Sequence, residues 1–333
     1  MKYKGLVVRE EKEEFRAAIE DLDIANLPDH DVLIRVTHAA LNFKDALSTK
    51  GHKGITRNYP HTPGVDAAGI VVEDRSNHFK PGQKVICTSF DLGMNTAGGF
   101  GEYIRVPSHW VVPLPEEMSL KESMILGTAA YTAGLAIHKM EQCGQKPELG
   151  EIVVTGASGG VGSMAVALLN RVGYDVLAST GKSTSHEYLK KIGAKRVVSR
   201  EDVNDTSGRP LLRSKWAGAI DNVGGNTLAT LIKACGRNGS VASIGLVDSP
   251  NLETTVYPFI LNGVNLLGID SAETPLELRH EIWRNLGGKW KLRALDNMCS
   301  EIGLDELISA LDKVHRGESV GRIILKHSPH LPA

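Results

Sequence analysis

The run TGASGGVG at residues 155–162 is the densest chemical signal in the sequence. Read from Ala157 it is A-x-G-x-x-G, the dinucleotide fingerprint with alanine in the first glycine slot. The pattern alone is weak, and its surroundings give it weight. It follows EIVVT at 151–155, which has the length and apolarity of a buried strand, and it opens an apolar stretch, 161–172, that reads as a helix. Small residues at such a junction let the backbone approach a pyrophosphate. The helix N-terminus beyond supplies free N–H groups and the positive end of the dipole. Ala157, Ser158, Gly159, Gly160, Val161 and Gly162 are therefore the expected phosphate cradle; the alternative is a glycine-rich turn with no ligand.

A loop that selects NAD usually carries an acid ~20 residues on, at the end of the second strand, for the ribose 2′-hydroxyl. Here that stretch is STGKS, 179–183, with no acid. Ser179, Thr180 and Lys182 suit a 2′-phosphate, which a carboxylate would repel. Arg200, after the third strand, is expected to close over the same phosphate. The reading is NADPH; the alternative leaves Lys182 as a solvated loop residue. Short-chain dehydrogenases share TGASGG but carry a catalytic Tyr-x-x-x-Lys. None of the seven tyrosines here has lysine four residues on.

These residues need a scaffold, and the pattern predicts one. Residues 1–122 read as short strands between turn signals: 6–8, 31–36, 69–72 and 84–87. An alanine-rich helix follows over 123–140. Strands at 151–155, 174–178, 217–221, 239–245 and 265–270 then alternate with helices at 161–172, 185–192 and 226–235. Alternation with strands this apolar implies a parallel sheet covered on both faces. Residues beyond 270 return to helices and a last strand, 322–326. The fold class is α/β: a β-rich catalytic domain, 1–122 with 271–333, and a Rossmann doubly wound domain, 123–270.

Composition bounds the function. The 333 residues carry a formal net charge of −1, so no basic surplus points to nucleic acid or an anionic membrane. The four cysteines are scattered and form no CxxC, which fits a reducing compartment and no structural zinc lobe. The first residues are charged before any long apolar run, and no apolar stretch approaches ~20 residues. The expectation is a cytoplasmic protein.

A β-rich first half, a central Rossmann domain and a C-terminal return resemble the medium-chain dehydrogenase/reductase superfamily, whose catalytic domain is GroES-like, over essentially the whole chain. Its zinc alcohol dehydrogenases carry Cys-x-x-Asp and then Gly-His-Glu-x-x-Gly. This sequence has NFKD at 42–45 and GVDAAG at 64–69. Asn42 stands in the ligand cysteine's slot and Val65 in the histidine's, and neither can hold zinc as thiolate and imidazole do. The site is expected to be metal-free. The segments 41–47, 63–69, 127–133, 151–162, 186–190, 255–261 and 267–271 resemble more closely the acrylyl-CoA reductase group, the YhdH/YhfP-type quinone oxidoreductases. That group usually has tyrosine where this chain has Phe43, so a hydroxyl at the cofactor is lost or supplied elsewhere.

Without a Lewis acid, a conjugated enone or enoyl thioester is the easier substrate, because hydride addition at the β-carbon needs only a stabilised enolate oxygen. The resemblance implies NADPH-dependent reduction of acrylyl-CoA to propanoyl-CoA. Asn42 is expected to donate to cofactor ribose or substrate carbonyl, Lys44 to set a cation near the oxyanion, and Asp45 to orient Lys44 or a water. Asp45 is equally readable as a buried structural carboxylate, and Lys44 as a surface lysine. Thr128 and Thr132, one helical turn apart, are expected at the nicotinamide edge, or else to bond their own helix. The resemblance places Leu246, Ile260 and Ser271 around the nicotinamide and returns Arg322 toward the cofactor. Lys50, Lys53 and Arg57 form a basic stretch that could meet CoA phosphates. Competing readings are a broader enone or quinone reductase and a non-catalytic NADPH-binding protein. The strand 265–270 is expected at a sheet edge and to pair with its copy in a homodimer.

Overall fold

A computed structural model describes residues 1–12 and 14–328. The chain begins with strands β1 (Lys2–Glu11), β2 (Glu14–Asp23) and β3 (Val32–Ala40), then helix α1 (Phe43–Thr49). Next come β4 (Asp66–Asp74), β5 (Lys84–Thr88), β6 (Tyr103–Val106) and β7 (Val111–Pro113). Helix α2 (Leu120–Gln142) leads into β8 (Ile152–Val154), α3 (Gly160–Arg171), β9 (Val176–Ser179), α4 (His186–Lys191) and β10 (Arg196–Val198). After these follow β11 (Gly218–Asp221), α5 (Gly225–Lys233), β12 (Ser240–Ser243), α6 (Tyr257–Asn262) and β13 (Asn265–Gly268). The chain closes with α7 (Leu276–Gly287), β14 (Cys299–Ile302), α8 (Leu307–His315) and β15 (Arg322–Lys326).

Two compact units result. The first comprises Met1–Thr128, Ala272–Gly287 and Arg293–Ala333; the second comprises Ala129–Ser271 and Gly288–Leu292. The sequence places the first boundary at 122/123, whereas here it falls inside α2, just past a break at Gly127 (φ 50°, ψ −158°). The alanine-rich composition gives no hint of that break.

The first unit is built on a seven-stranded sheet in the order β14-β15-β3-β4-β5-β7, with β6 also on β3. Alternation along β3 turns Val32, Ile34 and Val36 onto Val71, Val85, Ile104 and Val106, all buried. Each such side chain contributes ~1.5–3 kcal/mol by leaving water. β1 and β2 form a separate antiparallel hairpin. The sequence pattern does not reveal β2, because EFRAAIEDLD is charged and no residue of it is fully buried; backbone pairing with β1 makes it a strand.

The second unit is a six-stranded, wholly parallel sheet in the order β10-β9-β8-β11-β12-β13. Renumbered along this unit that is 3-2-1-4-5-6, the doubly wound nucleotide-binding order. The order reverses beside β8, so the crevice at its C-terminal end is where such a fold places a ligand. α3 starts there. A Cβ on Gly162 would lie 2.2 Å from the Gly156 carbonyl oxygen, so glycine is what lets α3 sit this close to the loop. β13 is an edge strand, as the sequence predicts. No helix among the described residues is long and apolar enough to cross a membrane.

Candidate active site

In the second unit, the loop from β8 to α3 is tied down from below by a buried knot. The Thr155 hydroxyl donates to Asp221 Oδ1 at 2.6 Å and accepts from the Asn222 N–H at 3.0 Å. Asn222 Nδ2 donates to the Thr155 carbonyl at 2.8 Å, and the Gly224 N–H donates to Asp221 Oδ2 at 2.8 Å. Burial pushes the Asp221 carboxyl above its ordinary range, and these donors pull it back. The sequence reading passes over this knot; Asp221 ends a strand, and its partner lies 66 residues away. Above it, Gly159, Gly160 and Val161 are partly exposed, while Ala157, Ser158 and Gly162 are buried. α3 begins at Gly160, so two of the first-turn N–H groups without an intrahelical acceptor, those of Gly160 and Val161, lie at partly exposed residues.

At the end of β9 the structure divides the expected phosphate ligands. The Ser179 hydroxyl donates to the Ser199 carbonyl at 3.1 Å and is buried. The Thr180 hydroxyl bonds Ser158 Oγ at 3.0 Å and accepts from the Lys182 N–H at 3.1 Å. Both side chains tie the loop together, and Ser179, whose hydrogen goes to the Ser199 carbonyl, is corrected from phosphate donor to loop brace. Lys182 is partly exposed and Arg200 exposed. A Cβ on Gly181 would lie 2.5 Å from Arg200 Nε, so the guanidinium packs directly on this glycine. The two cations expected at a 2′-phosphate thus flank one loop. Leu246 and Ile260 are 64% and 68% exposed, on the loop after β12 and on α6; Thr132 is buried in α2, and Ser271 is partly exposed.

In the first unit, a buried carboxylate absent from the sequence reading gathers the expected residues. Asp66, at the start of β4, is completely buried. Its Oδ2 accepts from Asn42 Nδ2 at 2.9 Å and from the Thr128 N–H at 2.9 Å, and its Oδ1 accepts from the Thr128 hydroxyl. Arg322, equally buried on β15, brings Nη2 to 3.6 Å from Oδ2. Its Nε donates to the Ile125 carbonyl at 3.2 Å, and Nη1 donates to Leu41 O and Asn42 Oδ1, each at 3.3 Å. The break at Gly127 makes room: a Cβ there would lie 2.5 Å from Asp66 Oδ2. It also turns the Thr128 N–H onto Asp66 and leaves the Ile125 carbonyl to Arg322. Ser89 Oγ lies 3.0 Å from the Thr128 hydroxyl, at the first of two consecutive residues with positive φ, Ser89 (66°) and Phe90 (51°). Arg279, over the Phe90 ring at 4.2 Å and donating to the Ala272 and Thr88 carbonyls, holds that turn. Asp66 was within reach of the sequence, since it stands beside Val65 in GVDAAG.

Two catalytic assignments change. Asp45 is fully buried at the third position of α1, accepting from the Asn42 N–H at 2.8 Å and from the Gly64 and Val65 N–H groups at 3.1 and 2.9 Å. It ties α1 to the turn before β4 and does not orient Lys44. Asn42 has both Nδ2 hydrogens engaged, by Asp66 and by Ala40 O at 3.3 Å, so neither is left for a substrate oxygen. Phe43 and Lys44 are exposed beside them, Phe43 stacked on His315 with ring centroids 6.4 Å apart.

Fold and site together define a medium-chain dehydrogenase/reductase. Residues 28–116 match the alcohol dehydrogenase GroES-like domain, and residues 160–285 match the family described as zinc-binding dehydrogenase. Within that superfamily the chain belongs with YhfP of Bacillus subtilis (strain 168) and the acrylyl-CoA reductase AcuI of Ruegeria pomeroyi. It is 42% identical to YhfP over 97% of this chain and 98% of that protein, and 38% identical to AcuI over 97% and 98%. The crystal structure of YhfP with NAD bound matches with a TM-score of 0.96, covering 98% of this chain and 99% of that one. That of the yhdH oxidoreductase from Salmonella enterica with NADP matches at 0.94, with 40% identity and coverage of 98% and 99%.

The zinc in the family description does not fit these residues. Asn42 is spent on Asp66, Arg322 and Ala40, Val65 is a buried hydrocarbon, and of the two neighbouring carboxylates Asp66 faces a guanidinium while Asp45 is bonded by three backbone N–H groups. Among the described residues no group of three or more His, Cys, Asp or Glu could hold a metal ion.

The buried Asp45 carries a pH signature. Burial, and secondarily the charge of Asp66, push its carboxyl up to about 7, against the pull of three backbone N–H groups. A carboxyl that binds its proton more tightly folded than unfolded stabilises the fold at low pH and loses that contribution as pH rises toward the folded value. The midpoint of urea unfolding should therefore fall between about pH 4 and pH 7. In Asp45→Asn this part of the fall should disappear; an unchanged slope would show that Asp45 stays ionised throughout.

Proposed function

We propose that this protein is a zinc-independent, NADPH-dependent reductase of activated carbon–carbon double bonds, acting on acrylyl-CoA to give propanoyl-CoA. The observation that carries the reading is the donor set of the first unit, where an amide and a buried ion pair stand in the zinc-ligand region and supply no Lewis acid. Such a site favours a substrate already polarised by conjugation. Hydride passes from C4 of NADPH to the β-carbon, the π electrons move to the thioester oxygen, and the α-carbon takes a proton that water supplies. Phe43 has no proton to give.

Lys44 is the residue we assign to the enolate oxygen. It is exposed on the first turn of α1 and makes no hydrogen bond or ion pair among the described residues. A cation at a helix N-terminus opposes the dipole by ~0.3–1 kcal/mol, so helix stability does not explain it. Lys182 and Arg200 are assigned to the 2′-phosphate. Lys50 and Lys53 are engaged by Asp312 and Glu10, each at 2.7 Å, which leaves Arg57 as the basic residue of that stretch for CoA. This thinner phosphate site favours keeping a second reading, a broader enone or quinone reductase on the same machinery.

Steady-state assays with NADPH on acrylyl-CoA, crotonyl-CoA and simple quinones separate the two. Turnover on acrylyl-CoA should dominate, survive exhaustive chelation, and fall ~100-fold in Lys44→Ala. Turnover on quinones alone would replace the first reading with the second, and an undiminished Lys44→Ala would remove the oxyanion role. Lys182→Asp should weaken NADPH far more than NADH; equal use of both coenzymes by the wild type would contradict the 2′-phosphate assignment. The chain is further proposed to form a homodimer through β13, where Leu266 and, on α6, Ile260 and Leu261 are exposed. Sedimentation at micromolar concentration should show the dimer, and monomer alone would refute it.

A further inference from the structure

Between Thr206 and Val247 the chain carries five cations, Arg209, Arg213, Lys215, Lys233 and Arg237, and a single acid, Asp221. The whole sequence has a net charge of −1, so this stretch holds a positive surplus that the remainder of the chain more than offsets. Asp221 does not neutralise it. That carboxylate is buried at the C-terminal end of β11, bonded to Thr155 and Gly224.

The second unit draws four of the cations together. The Leu212 N–H donates to the Lys233 carbonyl at 3.0 Å, the Lys215 N–H to the Ala234 carbonyl at 2.9 Å, and the Gly236 N–H to the Trp216 carbonyl at 2.8 Å. The stretch 212–216 is thereby laced to 233–236. Arg213 and Lys215 lie on one side of this seam, and Lys233 and Arg237 on the other. Leu212 and Trp216 pack into the core beneath and fix it in place, with the Lys215 ammonium 5.9 Å from the centre of the Trp216 ring. Arg209, Arg213, Lys215 and Arg237 are exposed and Lys233 partly so. None of the five side chains makes a hydrogen bond or an ion pair among the described residues. Asp205, at the border of the stretch, is taken by the Ser207 hydroxyl at 2.8 Å. Cations in the last turn of a helix complement its dipole, which accounts for Lys233; the other four lie outside α5.

The seam also has a definite place. Lys215 and Arg237 precede the parallel strands β11 and β12, and Lys233 ends α5, which runs back from the C-terminal ends of those strands. The loop before α3 is at those C-terminal ends. The seam is at the other end of the sheet, separated by the length of β11, about 13 Å for its four residues.

Its chemistry selects one class of partner. A membrane surface would need apolar side chains to insert, and among the described residues no large hydrophobic side chain between 206 and 240 is exposed. Single-stranded nucleic acid would need a ring to stack on, and the one aromatic residue there, Trp216, is 5% exposed and packed in the core. A long polyanion such as duplex nucleic acid would meet the negative charge of the remainder of the chain. A short acidic peptide needs neither insertion nor stacking. Guanidinium groups, three of the five cations, hold carboxylates through paired hydrogen bonds.

We propose that this seam is a docking surface for an acidic segment of a partner protein, whose Asp or Glu carboxylates pair with Arg213, Lys215, Lys233 and Arg237. It is separate from the reductase site and does not depend on the identity of substrate or coenzyme.

The test is fluorescence anisotropy of a labelled oligoglutamate peptide titrated with the whole protein, beside a labelled oligonucleotide and vesicles containing phosphatidylserine. The peptide should bind, and its Kd should rise as ionic strength goes from ~0.05 to ~0.15 M. Arg213→Glu with Arg237→Glu should raise Kd roughly 10- to 30-fold, because two attractions become two repulsions. Lys80→Glu with Lys84→Glu changes net charge equally at two exposed residues of the first unit and should leave Kd nearly unchanged. If the first reversal does not fold, Arg213→Gln with Arg237→Gln carries the same prediction at roughly 3- to 10-fold. Turnover with NADPH should hold in both reversals, and its loss in the Arg213 and Arg237 variant alone would tie the seam to the reductase site and overturn the separation. Equal loss of peptide in both reversals, or no binding by wild type, would overturn the inference. Tighter binding of the oligonucleotide or the vesicles would overturn it in favour of that partner. A reversal that turns a dimer into a monomer in sedimentation would give the surface to a second copy of this chain instead.

Discussion

Asp66 and Arg322 meet with both side chains out of water, 3% and 0% exposed for Arg322 and Asp66. Stripping two charges of their hydration costs several kcal/mol per ion, and attraction alone does not repay it. Repayment requires that the remaining valences be filled. Here most of them are filled by backbone and polar groups from three segments of the first unit: Ala40, Leu41 and Asn42 before α1, Ile125 and Thr128 around the break in α2, and Ser89 one bond further out. The two backbone contacts from α2 depend on its break, because in a regular helix the Ile125 carbonyl and the Thr128 N–H would be bonded within the helix. The broken helix, the glycine that permits it, and the orientation of Asn42 are consequences of one buried charge pair.

The second unit solves a related problem with one charge instead of two. Asp221 is buried and, among the described residues, forms no ion pair, and its carboxyl is shifted toward the neutral form. Its donors are the Thr155 hydroxyl and the N–H groups of the turn that follows β11. Those bonds join the ends of two adjacent parallel strands beneath the loop that precedes α3. The N-terminal end of α3 is thereby held by the ends of β8 and β11. The Ser158–Thr180 bond fixes the neighbouring turn in the same way, leaving Lys182 and Arg200 as the charged groups of that loop.

Much of this was legible in the sequence. The central βαβ alternation, the loop at 155–162 and the final strand at 322–326 follow from local periodicity and from small residues at a strand–helix junction, and the structure has each of them. Asn42, Thr128 and Arg322 are also legible as candidate site residues, and the first unit brings all three onto Asp66. What was not legible is non-local or hidden by composition. Asn42 and Arg322 are 280 residues apart in the chain, and no spacing rule joins them. The break at Gly127 is invisible because alanine-rich helix surrounds it. Asp66 was masked by its neighbour, since GVDAAG draws the eye to the missing histidine and not to the acid that remains. Ser179 has the right chemistry for a phosphate, but its hydroxyl hydrogen is already given to the Ser199 carbonyl.

The central claim is that the Asp66–Arg322 pair organises the first unit, and a double-mutant cycle in urea unfolding tests it most directly. The variants are Asp66→Asn, Arg322→Met and the two together. Removing either partner leaves the other charge buried alone, so each single change should cost about 3–5 kcal/mol. Removing both should cost less than the sum by more than ~1 kcal/mol, because the second change removes the orphaned charge that the first one left. Costs that add to within ~0.5 kcal/mol would mean that the two residues contribute independently, and the account built on their pairing would fail.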